Sequence, residues 1–255
     1  MIEFLYLSGL LWLLLLLGPL LFFQRRLHFE IQGIFLLLTH RVDLAVVLFS
    51  LLFFPGVLLH ESSHYLMARL LRVKTGGISL IPRTKDGGKL QMGYVETAKT
   101  DWVRDALIGM APLLVGGAVV AYIGLVQLGM IELWEAAMVG GADAAWEIFS
   151  TLITQPDIWL WFYLAFAISS TMLPSASDRR AWLPLGLVLL LLLFLSLIFG
   201  AGAWLLQNLA SPFNQVLLAL DVVLGITLFI HLILFFPFFV FRLTLSRLTG
   251  YQLGH

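Results

Sequence analysis

Residues 55–71 read PGVLLHESSHYLMARLL, placing two histidines and a glutamate inside an otherwise apolar run. His60 and His64 are four residues apart, a spacing that puts both imidazoles on one face of a helix about one turn apart. Two imidazoles so placed can bind one tetrahedral zinc, and the adjacent Glu61 reaches the same side, where it can take a proton from water. Zinc lowers the pKa of a bound water toward about 7 and polarises carbonyls, so the chemistry expected of H-E-x-x-H is hydrolysis. The alternative is a pair of bundle-facing histidines hydrogen-bonded to backbone or serine. Three ionisable groups within five residues make that costly in an apolar span. Ser62 and Ser63 either wet such a site or pack.

A catalytic zinc site keeps three protein ligands and one open position. The chain has no cysteine, so the third donor is His, Asp or Glu. Asp178 stands out, in SSTMLPSASDRRAW, where Pro174 breaks a span and lets the chain fold toward the histidines. Its other reading is a boundary carboxylate paired with Arg179 or Arg180. Glu96, at the end of a hairpin, and His231, inside GITLFIHLILFF, are the competing donors. For His231 a helix-packing hydrogen bond is the alternative.

These residues must be positioned within a membrane. Of 255 residues, 60% are hydrophobic and 12% charged, with a mean hydropathy of +0.97. Soluble domains are closer to a quarter charged. Long apolar runs favour a helical bundle over a β-barrel, and a formal net charge of zero gives no reason to expect nucleic acid. Six spans fit, at about 2–23, 44–71, 103–128, 158–174, 182–205 and 213–241. The first lacks a basic leader and a cleavage site and reads as a retained span. Segment 31–39 is too short to cross and reads as a strand or interfacial piece; 130–157, acidic and free of Lys and Arg, reads as a loop. Pro55 is expected to bend the second span. His64 lies eight residues before Arg72, roughly 12 Å inside that end of the helix.

Basic residues set the orientation. Eight lie in 69–104, and Arg179, Arg180, Arg242 and Arg247 join them if both termini are cytoplasmic; Arg25, Arg26 and Arg41 are exceptions. Within 76–96, GGISLIPRTKDGGKLQMGYVE, strand-forming residues flank KDGG, a hairpin signal. Its exposed edge can pair with an extended peptide.

Together these features resemble the site-2 protease family of intramembrane zinc metalloproteases, over about residues 44–180. The first motif matches in full at His60, Glu61 and His64. The second, usually Asn-x-x-Pro followed by Asp-Gly, reads TMLPSASDR, with Thr171 in place of Asn, Pro174 and Asp178 kept, and Arg179 in place of Gly. The third, usually Gly-Pro-x-x-Asn, reads APLLV and keeps Pro112. The resemblance implies an all-α membrane protein of about six transmembrane helices, with a three-helix metalloprotease core and a small β-hairpin at the cytoplasmic face. The whole of 1–255 is then one membrane domain, with 1–43 and 181–255 as flanking helices. It implies one zinc per chain on His60, His64 and Asp178, Glu61 as general base, and a transmembrane segment of another protein as substrate. Ser170 or Thr171 would steady that substrate, and the strand at Gly93 and Tyr94 would hold it. The implied setting is the lipid bilayer of a bacterial or archaeal plasma membrane, with both termini cytoplasmic. A non-catalytic relative that binds transmembrane segments is the alternative; a carrier would need paired interrupted helices in two related halves, which the sequence does not lead one to expect.

Overall fold

The computed structural model describes residues 8–80, 83–84, 90–91 and 93–250. In chain order these form α1 (Ser8–Thr39), α2 (Val42–Leu52), α3 (Phe54–Leu70), β1 (Thr75–Ser79), β2 (Arg83–Thr84), β3 (Leu90–Gln91) and β4 (Tyr94–Thr97). They continue with α4 (Trp102–Tyr122), α5 (Met130–Leu152), α6 (Ile158–Ser169), α7 (Trp182–Ile198), α8 (Gly202–Asn208) and α9 (Ala210–Thr249). Three helices, α1, α4 with its π-helical extension to Gln127, and α9, are long and apolar enough to cross a membrane. Counting the bent pairs α2–α3 and α7–α8 as one span each raises that number to five. The chain is therefore a predominantly helical membrane protein with three to five candidate spans among the described residues, where the sequence leads one to expect six.

The differences have physical reasons. Segment 31–39 is neither strand nor interfacial piece but the last turns of α1, which runs unbroken through the polar stretch at 24–30. That stretch stays helical because its polar groups find partners: Gln24 Nε2 donates to the Ser170 carbonyl at 2.7 Å, and Glu30 pairs with Arg242. Segment 130–157 is not a loop, since α5 occupies most of it, interrupted at Gly141 where φ is +74°. The span expected at 158–174 is the 12-residue α6. At 1.5 Å per residue it is about 18 Å long, short of the roughly 30 Å hydrocarbon core. The span expected at 182–205 bends by 119° between α7 and α8, next to Gly200 with φ +81°.

Between α2 and α3 the chain turns by 69° at Phe53, two residues before Pro55. Pro55 then sits in the first turn of α3, where its missing N–H costs no intrahelical bond. Tyr163 Oη donates to the Leu52 carbonyl at 2.9 Å, satisfying an acceptor at the break. Helix α3 ends with Arg72 in the left-handed region at φ +57°, and the Val73 N–H closes onto the Ala68 carbonyl at 2.8 Å. This is a Schellman-type stop that turns the chain straight into β1.

Strands β1 and β4 pair antiparallel, with Ile78 opposite Val95 and Ser79 opposite Tyr94, and β2 pairs with β3. The expected hairpin strands are thus present; the KDGG turn lies outside the described residues. The core gathers Phe53 and Val57 of the broken span, Val120 of α4, Phe166 of α6 and Met172 just beyond it. Val223, Ile226 and Ile230 of α9 and Leu27 and Ile31 of α1 close it.

Helices α1 and α9 pack in parallel. Gly9 N–H donates to Asn214 Oδ1 at 2.9 Å, the Phe23 and Phe235 rings lie 5.5 Å apart, and Glu30 meets Arg242. Termini on one face, as expected from the basic residues, need the first and last spans to run opposite ways, so the packing departs from that expectation. Single cysteines replacing Ser8 and Leu248 in this cysteine-free chain are expected to label from opposite faces; labelling of both from one face contradicts the parallel pairing.

Candidate metal centre

His60 and His64 sit one turn apart on α3 with their rings edge to face, centroids 4.8 Å apart. Each Nδ1 faces a backbone carbonyl: His60 meets Thr171 O at 2.7 Å and His64 meets Ile108 O at 2.8 Å. A carbonyl can only accept, so each Nδ1 carries the proton and each Nε2 of a neutral ring presents a lone pair. Those two Nε2 atoms stand 3.1 Å apart. Asp178 completes the group, with Oδ2 3.7 Å from His60 Nε2 and Oδ1 3.5 Å from His64 Nε2.

Three electron-pair donors facing one another repel unless a proton or a metal cation lies between them. Zinc ligands at about 2.0–2.2 Å in a tetrahedron are separated by edges of about 3.3–3.6 Å. The two Nε2 atoms are 3.1 Å apart, and each ring has a carboxylate oxygen near it, a different one for each, at 3.7 Å from His60 and 3.5 Å from His64. The three ligand atoms lie within 4.8 Å of one another, and among the described residues no other cluster of metal-ligating side chains is this tight. The donor set of two imidazoles and one carboxylate suits zinc, and carbonyls behind both rings fix the tautomer and orientation as outer-shell partners do.

Asp178 reaches the histidines through a tight turn. Helix α6 stops at Ser169, five residues before Pro174, and the chain reverses. The Ser175 N–H donates to Asp178 Oδ2 at 2.7 Å, and the Asp178 N–H returns to Ser175 Oγ at 3.3 Å. Burial pushes the Asp178 carboxyl up, but a proton held on the His60 and His64 rings that face it, together with the Ser175 N–H, outweighs burial and holds it well below the usual carboxylate range. It is therefore an anion at neutral pH. Arg180 does not pair with Asp178, the alternative considered above; it forks onto Asp105 of α4.

Two helix glycines make the approach possible. A Cβ on Gly109 would stand 2.0 Å from the Asp178 carbonyl oxygen, and one on Gly56 would stand 2.2 Å from the Ala167 carbonyl. Both contacts are with backbone, which cannot yield as a flexible side chain would. Glycine is required here for close approach, and a glycine inside a helical pattern is the sequence signal for it.

Glu61 is buried, 7% exposed, at the base of an open cleft of about 980 Å³. The cleft is lined by His60, Glu61, His64, Tyr94, Glu96 and Asp178 among others. Gly93 lies over Glu61: a Cβ there would be 2.9 Å from Oε1. Lacking one, the start of β4 can run directly across the carboxylate.

The other candidates fall into different places. Ser170 is buried, with Oγ 3.1 Å from His231 Nε2. The Thr171 hydroxyl donates back to the Ala167 and Ile168 carbonyls of its own helix, at 3.1 and 3.2 Å. Both residues also line the cleft, and Thr171 turns its carbonyl to His60. His231 is fully buried between Ser170 and the Thr227 carbonyl, the latter at 2.7 Å, and is not among the converging donors. Glu96 lines the cleft from β4, packed beside Gly76, outside the trio. The carbonyls of Thr171 and Ile108 and the side chain of Asp105 escape sequence reasoning, because a backbone acceptor leaves no mark in the residue types.

Comparison of the chain with protein-family models, with curated proteins and with solved structures finds no match to any of them.

Proposed function

We propose that this chain is an intramembrane zinc endopeptidase that hydrolyses a peptide bond in or near a transmembrane segment of another membrane protein. The observation that carries the reading is the convergence of one donor atom each from His60, His64 and Asp178 within 4.8 Å, beside a buried Glu61. His60, His64 and Asp178 would hold the ion. Bound there, zinc supplies Lewis acidity, polarising the scissile carbonyl and acidifying a water.

The chain's own residues do the rest. Glu61 takes the proton from the attacking water as its oxygen bonds to the carbonyl carbon. It then returns that proton to the nitrogen as the C–N bond breaks, leaving a carboxylic acid and an amine, which become carboxylate and ammonium once the acid's proton passes to the amine. A helical substrate hides its carbonyls in hydrogen bonds, so the cut stretch must be unwound. Strand β4, with Gly93 letting it lie over Glu61 and Tyr94 beside the cleft, offers backbone groups to an extended segment. The basic residues of 69–104 hold the hairpin and the mouth of the cleft at the cytoplasmic face. The departures at Thr171, Arg179 and Ala111 make this a divergent form of the site-2 protease pattern.

The test is cleavage in a bilayer. Purified protein reconstituted with a membrane-spanning test substrate is expected to cut it, to stop when a zinc chelator is added, and to recover with zinc. Cutting that continues undiminished after complete removal of metal would sink the proposal.

A further inference from the structure

Asp105 of α4 lines the same cleft as the metal ligands but touches none of them. It takes a two-point bond from Arg180, Nε to Oδ2 at 3.0 Å and Nη2 to Oδ1 at 3.1 Å. Arg180 lies two residues beyond Asp178, in the turn that carries the third donor. We propose that Asp105 is a positioning residue: its forked pair with Arg180 pins the turn 175–180 to α4 and so fixes the Asp178 carboxylate against His60 and His64. This deepens the zinc reading and rests on it.

The placement of α4 supports a pin over an incidental surface pair. Asp105, Ile108 and Gly109 fall at i, i+3 and i+4, on one face of the helix. The Ile108 carbonyl holds His64, Gly109 admits the Asp178 carbonyl, and Asp105 holds Arg180. A single helical turn thus references both an α3 ligand and the α6-side ligand to one rigid frame. The Ser175–Asp178 bonds shape the turn internally but do not tie it to any helix. An exposed ion pair alone stabilises little, but a planar guanidinium engaged at two points sets orientation as well as distance. At this position a lysine would keep the charge and lose the fork.

The experiment uses the full chain in detergent, with two readouts. The first is zinc affinity by chelator competition; the second is amide exchange of the turn 175–180 in metal-free protein. Asp105→Asn and Arg180→Lys are each expected to weaken zinc about 10- to 100-fold, as for loss of an outer-shell partner. Both are expected to speed exchange in the turn, and the double exchange Asp105→Arg with Arg180→Asp to recover part of each effect. Unchanged zinc affinity in the single variants, or unchanged exchange in the metal-free turn, overturns the positioning role. Wild-type protein that takes up no zinc overturns the metal reading instead, and the exchange of the turn then decides the clamp by itself.

Discussion

Replacing Glu61 by glutamine is expected to leave the metal bound and to lower cleavage by about 10²–10⁴-fold, the usual contribution of a positioned general acid–base. Glutamine keeps the size and the hydrogen-bonding reach of the side chain but cannot accept the water's proton. Glu61 is not one of the three converging donors, so the variant should match the wild type in zinc content. The check is a paired measurement of zinc content and turnover on a membrane-spanning substrate. Undiminished cleavage removes Glu61 from the mechanism; loss of zinc makes it a ligand.

Asp178→Asn is expected to weaken zinc binding strongly and to abolish measurable cleavage. The amide is neutral, so two imidazoles are left to face the ion with no anionic partner. The turn loses an acceptor as well, because the Ser175 N–H bonds the same carboxylate. His231→Ala should differ in kind. His231 bonds Ser170 and Thr227, so its loss perturbs packing between α9 and the end of α6 while the zinc donors keep their number. Zinc titration of the two variants side by side separates a ligand from a packing residue. Equal retention by Asp178→Asn and wild type would remove the third ligand and, with it, the reading of TMLPSASDR as a metal-binding motif.

How much of this is legible in the sequence varies with the kind of interaction. A spacing of four between two histidines is a helical fact, and Asp178 announces itself by following a proline-broken span. Pro55 and the strand pattern around KDGG likewise mark a bend and a hairpin because backbone chemistry acts locally. The misreadings come where distant partners decide. The stretch QRRLHFE looks like the end of a span, yet it stays helical because Ser170 and Arg242, far along the chain, satisfy Gln24 and Glu30. The acidic segment after α4 looks like a loop because its charge is visible and its helix propensity is diffuse. Ser170 and Thr171 line the cleft, yet nothing in the sequence shows that one hydroxyl also meets a histidine of α9 and the other the carbonyls behind it. No local pattern encodes which way those oxygens turn.

If His60, His64 and Asp178 hold a hydrolytic zinc, X-ray absorption at the zinc edge on purified protein will show about one zinc per chain, coordinated by two imidazole nitrogens and by oxygen at about 2.0–2.2 Å, and His60→Ala and His64→Ala will lose it. Protein that carries no zinc, or that keeps a full complement of it in both histidine variants, does not use these residues to hold the metal.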